Sequence, residues 1–232
     1  MRRLTPEQLD CYRGAGWVDA GSALPDMPLA PASAAANALA QRKPWQEMLS
    51  GIHNPFGRHA CTADAWKFLD IAESAAMLDA VEDVLGPDIV FWDSELFFDL
   101  SALPAEEALW WPVEPLAGTI ACLALATGRL MLIDVTRRRD AAPRVSSAEG
   151  PFYVLRYMPA TSHFNRDQRF AANRRAAEAR VLVNYARRPI WLVRGTDRGD
   201  NDFAAGFSVA AAQWAATAAA PGGALDMNHK ES

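Results

Sequence analysis

The sequence predicts an α+β fold, with helices at the front of the chain and a β-sandwich or barrel behind them. Three observations carry this. Before Gly86 the apolar residues recur at three- and four-residue spacing, the repeat of one helix face. After Gly86 they fall into short runs rich in Val, Ile, Phe, Trp and Tyr with turn residues between them, an order that suits a sandwich or barrel and not a βαβ fold. And 232 residues, half of them apolar with eight tryptophans, suffice for a sizeable core in one domain over residues 1–220.

Thr5-Pro6-Glu7-Gln8 opens the first helix: Thr5 caps, Pro6 suits the first helical position and Gln8 completes a capping box. Leu9, Tyr12 and Trp17 follow, and Gly14 and Gly16 end the helix. Residues 21–46, rich in Ala, Pro and Ser, read as a mobile surface loop. Residues 63–85 read as a helical pair stopped by Gly86-Pro87. Strands are expected at Ile89 to Trp92, Leu96 to Phe98, Thr119 to Leu125, Leu130 to Val135, Phe152 to Tyr157, Arg180 to Tyr185 and Ile190 to Val193. Residues 164–179 suit a loop or short helix, residues 204–219 a terminal helix, and residues 221–232 a disordered tail.

Composition narrows the function classes. A net charge of −5 argues against a nucleic-acid partner. There is no run of 18 apolar residues for a membrane span, and the N-terminus lacks the apolar core of a signal peptide, so a cytoplasmic protein is expected. Cys11, Cys61 and Cys122 are scattered and odd in number, as free thiols are, and no zinc-type spacing occurs. GxGxxG, GxxxxGK[ST] and GxSxG are absent, and Ser162 beside His163 points the other way in an extended segment. The expected partner is a small molecule; a homodimer is compatible with the sequence.

Several stretches, in order, resemble the phytanoyl-CoA dioxygenase family. They are Leu4-Thr5-Pro6-Glu7-Gln8 with Tyr12 and Gly16, Leu78-Asp79-Ala80-Val81 through Leu85-Gly86-Pro87-Asp88-Ile89, and Trp92-Asp93-Ser94-Glu95-Leu96-Phe97-Phe98. Trp111-Pro112-Val113-Glu114-Pro115-Leu116 and Leu192-Val193-Arg194-Gly195 with Asp197-Arg198 continue the series. The resemblance spans roughly residues 4–203. It implies a double-stranded β-helix, a jelly-roll barrel with helices packed on one side and a pocket between its sheets. It also implies Fe(II) held by two histidines and a carboxylate, with 2-oxoglutarate as cosubstrate.

Against that pattern the chain departs. The family's His-x-Asp pair precedes the Trp-Pro run; here Pro104, Ala105, Glu106, Glu107 and Ala108 stand in front of Trp110-Trp111-Pro112. His163 matches the distal ligand best, and Arg174, eleven residues on, or Arg175 matches the arginine that grips the cosubstrate carboxylate. Seven arginines between 166 and 188 make such a match common by chance. His53 and His59 precede the barrel and His229 is in the tail, so a metal, if bound, would rest on His163 with Glu106 or Glu107. Asp99 stands where the family often has a lysine, and would repel a dicarboxylate.

The preferred reading is therefore a protein that uses no cofactor and does redox-neutral chemistry: proton transfer, cyclisation or elimination. In it His163 is acid or base, assisted by Glu106 or Glu107. An Fe(II)/2-oxoglutarate hydroxylase with unusual ligands is the alternative, and a non-catalytic binding protein the third reading. Trp110 and Trp111 are candidate pocket walls, as Asn184-Tyr185 and Arg187-Arg188 are candidate polar pocket groups. Period-two alternation places Asp93, Glu95, Phe97 and Asp99 on one face of a strand and Trp92, Ser94, Leu96 and Phe98 on the other. The acidic face is expected at solvent; were it to line the pocket, crowding and burial would raise a carboxyl pKa and Asp93 or Glu95 would meet the substrate.

Overall fold

The computed structural model describes residues 3–22, 27–42, 48–50, 52, 64–100, 106–137, 149–179, 188–203, 207–208 and 213–214. Helix α1 (Pro6–Ala15) begins with the expected reciprocal cap between Thr5 and Gln8 and ends at Gly16, whose φ of 78° is the left-handed conformation that closes a helix. Strand β1 (Trp17–Gly21) follows. Helix α2 (Leu29–Arg42) occupies much of the stretch expected as a loop. Ala32, Ala35, Ala36 and Leu39 form its buried stripe at helical spacing, and small side chains let the helix lie close against the core. Alanine is the strongest helix former, so the composition that suggested a loop is also that of a packed helix.

Strand β2 (Met48–Ser50) leads to α3 (Ala65–Ala72) and α4 (Ala75–Leu85), the expected pair, with Ser74 capping α4. The two expected strand runs at 89–92 and 96–98 form one strand, β3 (Ile89–Phe97). After a 3-10 turn at Glu107–Trp110 come β4 (Val113–Glu114), β5 (Thr119–Ala124), β6 (Leu130–Asp134), β7 (Phe152–Pro159) and β8 (His163–Phe164). Helix α5 (Ala171–Glu178) precedes β9 (Trp191–Arg194). Within the expected terminal helix, β10 (Phe207–Ser208) and β11 (Gln213–Trp214) pair as antiparallel strands instead. Paired strand needs a partner, which helical propensity read along the chain does not reveal. The strand expected at 180–185 and the tail lie outside the described residues.

Seven strands form one antiparallel sheet in the order β1-β6-β5-β7-β3-β2, with β9 also pairing to β3. β4 and β8 make a separate two-stranded sheet. The large sheet is buried on both faces. On one, α1 to α4 pack against Phe91, Leu96, Ala121, Leu123, Tyr153, Leu155 and Tyr157. On the other, Val90, Trp92, Phe97, Ile120, Cys122, Phe152, Val154 and Met158 meet Trp111, Val113, Phe164 and Ala176 from the small sheet, its flanks and α5. Among the described residues no helix is long and apolar enough to cross a membrane.

Candidate functional site

The second core, between the large and small sheets, contains charge. β7 runs Phe152-Tyr153-Val154-Leu155-Arg156-Tyr157-Met158, and alternation turns Phe152, Val154, Arg156 and Met158 inward to this core. Arg156 is therefore held there, 4% exposed, by the register of a strand that is otherwise apolar. β3 passes alongside with its register shifted between Phe91 and Asp93. The shift makes Trp92 the extra residue of a bulge. Val90 and Trp92 face inward before it, and Asp93, Glu95 and Phe97 after it. This corrects two sequence expectations. The acidic face of β3 points into the protein and not at solvent, and Trp92 shares it. Simple alternation fails because a bulge turns two consecutive residues to the same side. Asp99 lies beyond the strand and is exposed.

Arg156 is the hub. Its Nε and Nη2 donate to Glu107 Oε2 at 3.2 Å and Oε1 at 2.7 Å, a two-pronged pair. Nη2 also donates to Glu95 Oε2 at 2.7 Å and Nη1 to Asp93 Oδ2 at 3.4 Å. Arg188, buried just ahead of β9, donates through Nη2 to Asp93 Oδ1. Glu107, buried in the 3-10 turn, accepts a third hydrogen bond from the Trp111 indole at 3.1 Å. Trp111 stands edge-on to Trp92 at 5.0 Å between ring centres, and the Arg188 guanidinium lies 5.6 Å from the centre of the Trp92 ring. Glu95 is the cluster's most exposed carboxylate, its side chain 13% accessible.

Three carboxylates and two guanidiniums leave one surplus negative charge among these five groups. Burial pushes the Asp93 carboxyl up to about 6 from its ordinary 3.8; Arg188 and Arg156 pull it down, while Glu95 and Glu107 push it further up. Burial disfavours the charge on Arg156, but Glu107, Glu95 and Asp93 outweigh it, and its pKa stands well above the ordinary arginine value. The cluster can therefore hold and release a proton near neutral pH at a carboxylate flanked by fixed cations. A pocket of about 10 Å³, room for one water, lies further along the same face between Leu100, Cys122, Ala124, Arg129, Met131 and Phe152.

The other sequence candidates are placed elsewhere. His163 is exposed on β8 with its Nδ1 3.0 Å from Gly199 O, while its neighbour Phe164 faces the core. Alternation in β8 puts one of the two outside, and the larger apolar ring takes the inside. Glu106 is exposed. Arg174 is exposed on α5, 3.5 Å from Glu178 one turn on. Arg175, also exposed, lies over the half-buried Trp110 at 5.8 Å. Thus Glu107, Asp93, Glu95 and Trp111 come together, and His163, Glu106, Arg174 and Arg175 do not join them. Arg188, a candidate polar pocket group, belongs to the cluster; Asn184, Tyr185 and Arg187 lie outside the described residues. Arg156 was missed; the available signal was a lone charge at an inward position of an apolar strand.

These residues do not fit Fe(II) and 2-oxoglutarate. His163 is exposed on β8 whereas Glu107 is buried and occupied by Arg156 and Trp111, and Arg156 commits its fork to three carboxylates. Among the described residues no group of three His, Cys, Asp or Glu side chains is placed to hold a metal. His53 and His59 lie outside the described residues.

No protein-family model matches the chain, and no curated protein sequence does. Solved structures are similar to it. One is a non-heme monooxygenase, ThoJ in its apo form, with a TM-score of 0.50 at 16% identity, covering 84% of this chain and 86% of the other. CytC3 gives 0.53 at 12% identity over 90% of this chain and 96% of the other. A structure of CytC3 with Fe(II) and alpha-ketoglutarate gives 0.49 at 10% identity, covering 86% and 93%. At these identities the likeness is one of fold.

Proposed function

We propose that this chain is a double-stranded β-helix protein, phytanoyl-CoA dioxygenase-like in descent, that acts on a small organic molecule by metal-independent proton transfer. The observation that supports it is the buried Asp93–Arg188–Arg156 arrangement: a carboxyl raised to about 6 beside two cations. A base working near neutral pH is most effective with a pKa in that region. In this reading the Asp93 carboxylate takes a proton from carbon beside a carbonyl. The electron pair stays on the substrate as an enolate, which Arg188 steadies. Asp93 then returns the proton to another position, or the pair expels a leaving group. Glu107 orients Arg156 and Trp111 and transfers nothing itself. Glu95 marks the side from which a ligand approaches.

A second reading, an Fe(II)/2-oxoglutarate hydroxylase, is favoured by the fold likeness to a non-heme monooxygenase. It requires donors other than the described ones. Anaerobic titration of metal-stripped protein with Fe(II) and then 2-oxoglutarate separates the two. We expect no visible charge-transfer band and no iron retained after dialysis; a band overturns the metal-independent reading, and its persistence in His163→Ala would place the ligands elsewhere. Incubation with a panel of carbonyl compounds in D2O tests proton transfer itself. Deuterium incorporation that disappears in Asp93→Asn supports it, whereas ligands that bind without exchange indicate a binding protein.

A further inference from the structure

Arg166 lies outside the cluster, in the turn between β8 and α5. Its guanidinium nevertheless bridges two later segments: Nη1 donates to the Arg188 carbonyl at 2.7 Å and Nη2 to the Asp202 carbonyl at 2.7 Å. Its face lies over the Phe164 ring at 5.0 Å. Phe164 packs on Trp92 at 5.7 Å between ring centres, and the Arg188 guanidinium lies over that same Trp92. One planar cation thus ties the backbone of Arg188 to the aromatic stack against which the Arg188 side chain rests. Lysine lacks both the fork and the flat face for this.

We infer that Arg166 is a positioning residue: by fixing the Arg188 carbonyl it keeps the Arg188 guanidinium on Asp93, and through it sets the proton affinity of the interior carboxylate. The inference rests on the reading of Asp93 as the proton-carrying group. The charged and titratable groups that face Asp93 are Arg188 ahead of β9, Arg156 on β7, Glu95 on β3 and Glu107 in the 3-10 turn, with Tyr153 of β7 behind it on the opposite face of the sheet. Of these, Arg166 holds Arg188. Loosening that clamp weakens one of the two cations that favour the anion and leaves the opposing carboxylates in place.

The test is a carboxyl-carbon NMR titration of the full chain labelled at aspartate, with Asp93 assigned by its loss in Asp93→Asn. Arg166→Met and Arg166→Lys are each expected to raise the Asp93 midpoint by roughly half a unit to one unit, a fraction of the effect of an adjacent opposite charge. A rise in both supports positioning. A rise in Arg166→Met alone overturns it, because the charge at 166 would then act directly. A lower melting temperature with an unchanged midpoint also overturns it, leaving a purely structural role. A wild-type midpoint far from 6 removes Asp93 as proton carrier, yet a rise in both variants would still support the role of Arg166.

Discussion

Replacing Asp93 by Asn keeps the shape and removes the titration. In the unfolded chain this carboxyl ionises near 3.8, in the folded protein near 6. Between those values the native state binds more protons than the unfolded state, so this group lowers stability as pH rises through the window and contributes a constant penalty above it. A displacement of roughly two units corresponds to about 3 kcal/mol. The pull of Arg188 and Arg156 on the anion is already contained in that displacement. Asparagine stands in for the protonated acid at every pH, and differences between its amide and the acid hydroxyl cancel when two pH values are compared. Urea unfolding of both proteins at pH 4 and pH 8 measures the effect. At pH 4 the unfolded carboxyl is already partly ionised, so the stability of Asp93→Asn relative to wild type should be greater at pH 8 than at pH 4 by about 2.5 kcal/mol. A difference independent of pH, or one favouring Asp93 at pH 8, would refute the reasoning: the arginines would then outweigh burial and crowding.

Two further outcomes follow from the same packing. Arg156→Met leaves Glu107, Glu95 and Asp93 without their common partner and should cost about 3–5 kcal/mol in urea unfolding, part of it recovered by adding Glu107→Gln. Gly118→Ala would set a methyl group 2.2 Å from the Trp111 ring and 2.6 Å from the Tyr157 carbonyl oxygen. Trp111 is pinned by Glu107 and Trp92, so the loss should be about 1–3 kcal/mol or more, with a changed near-ultraviolet dichroism of the indoles.

The local rules carried far in this chain because their causes are local. The Thr5–Gln8 cap, the stop at Gly86 and the spans of β5, β6 and β7 depend on neighbouring backbone groups and on the period of apolar side chains, both written along the sequence. Where a segment's state depended on what covered it, the sequence was ambiguous: α2 is a helix because its alanine stripe has a core to meet. The site divides in the same way. Alternation alone established that Asp93, Glu95 and Phe97 share a side, but the expectation that this side meets water did not hold. The small sheet and α5 decided this by covering it. The bulge at Trp92 added the indole to the same side, and the antiparallel pairing of β3 with β7 set Arg156 opposite Asp93. His163 fell outside because Phe164 took the inward position of β8. Sequence alternation determined that Asp93, Glu95 and Phe97 share a face; only the tertiary structure determined, through the bulge, that Trp92 joins them and, through the second layer, that the face is buried, and a buried carboxylate must have a cation or take up a proton.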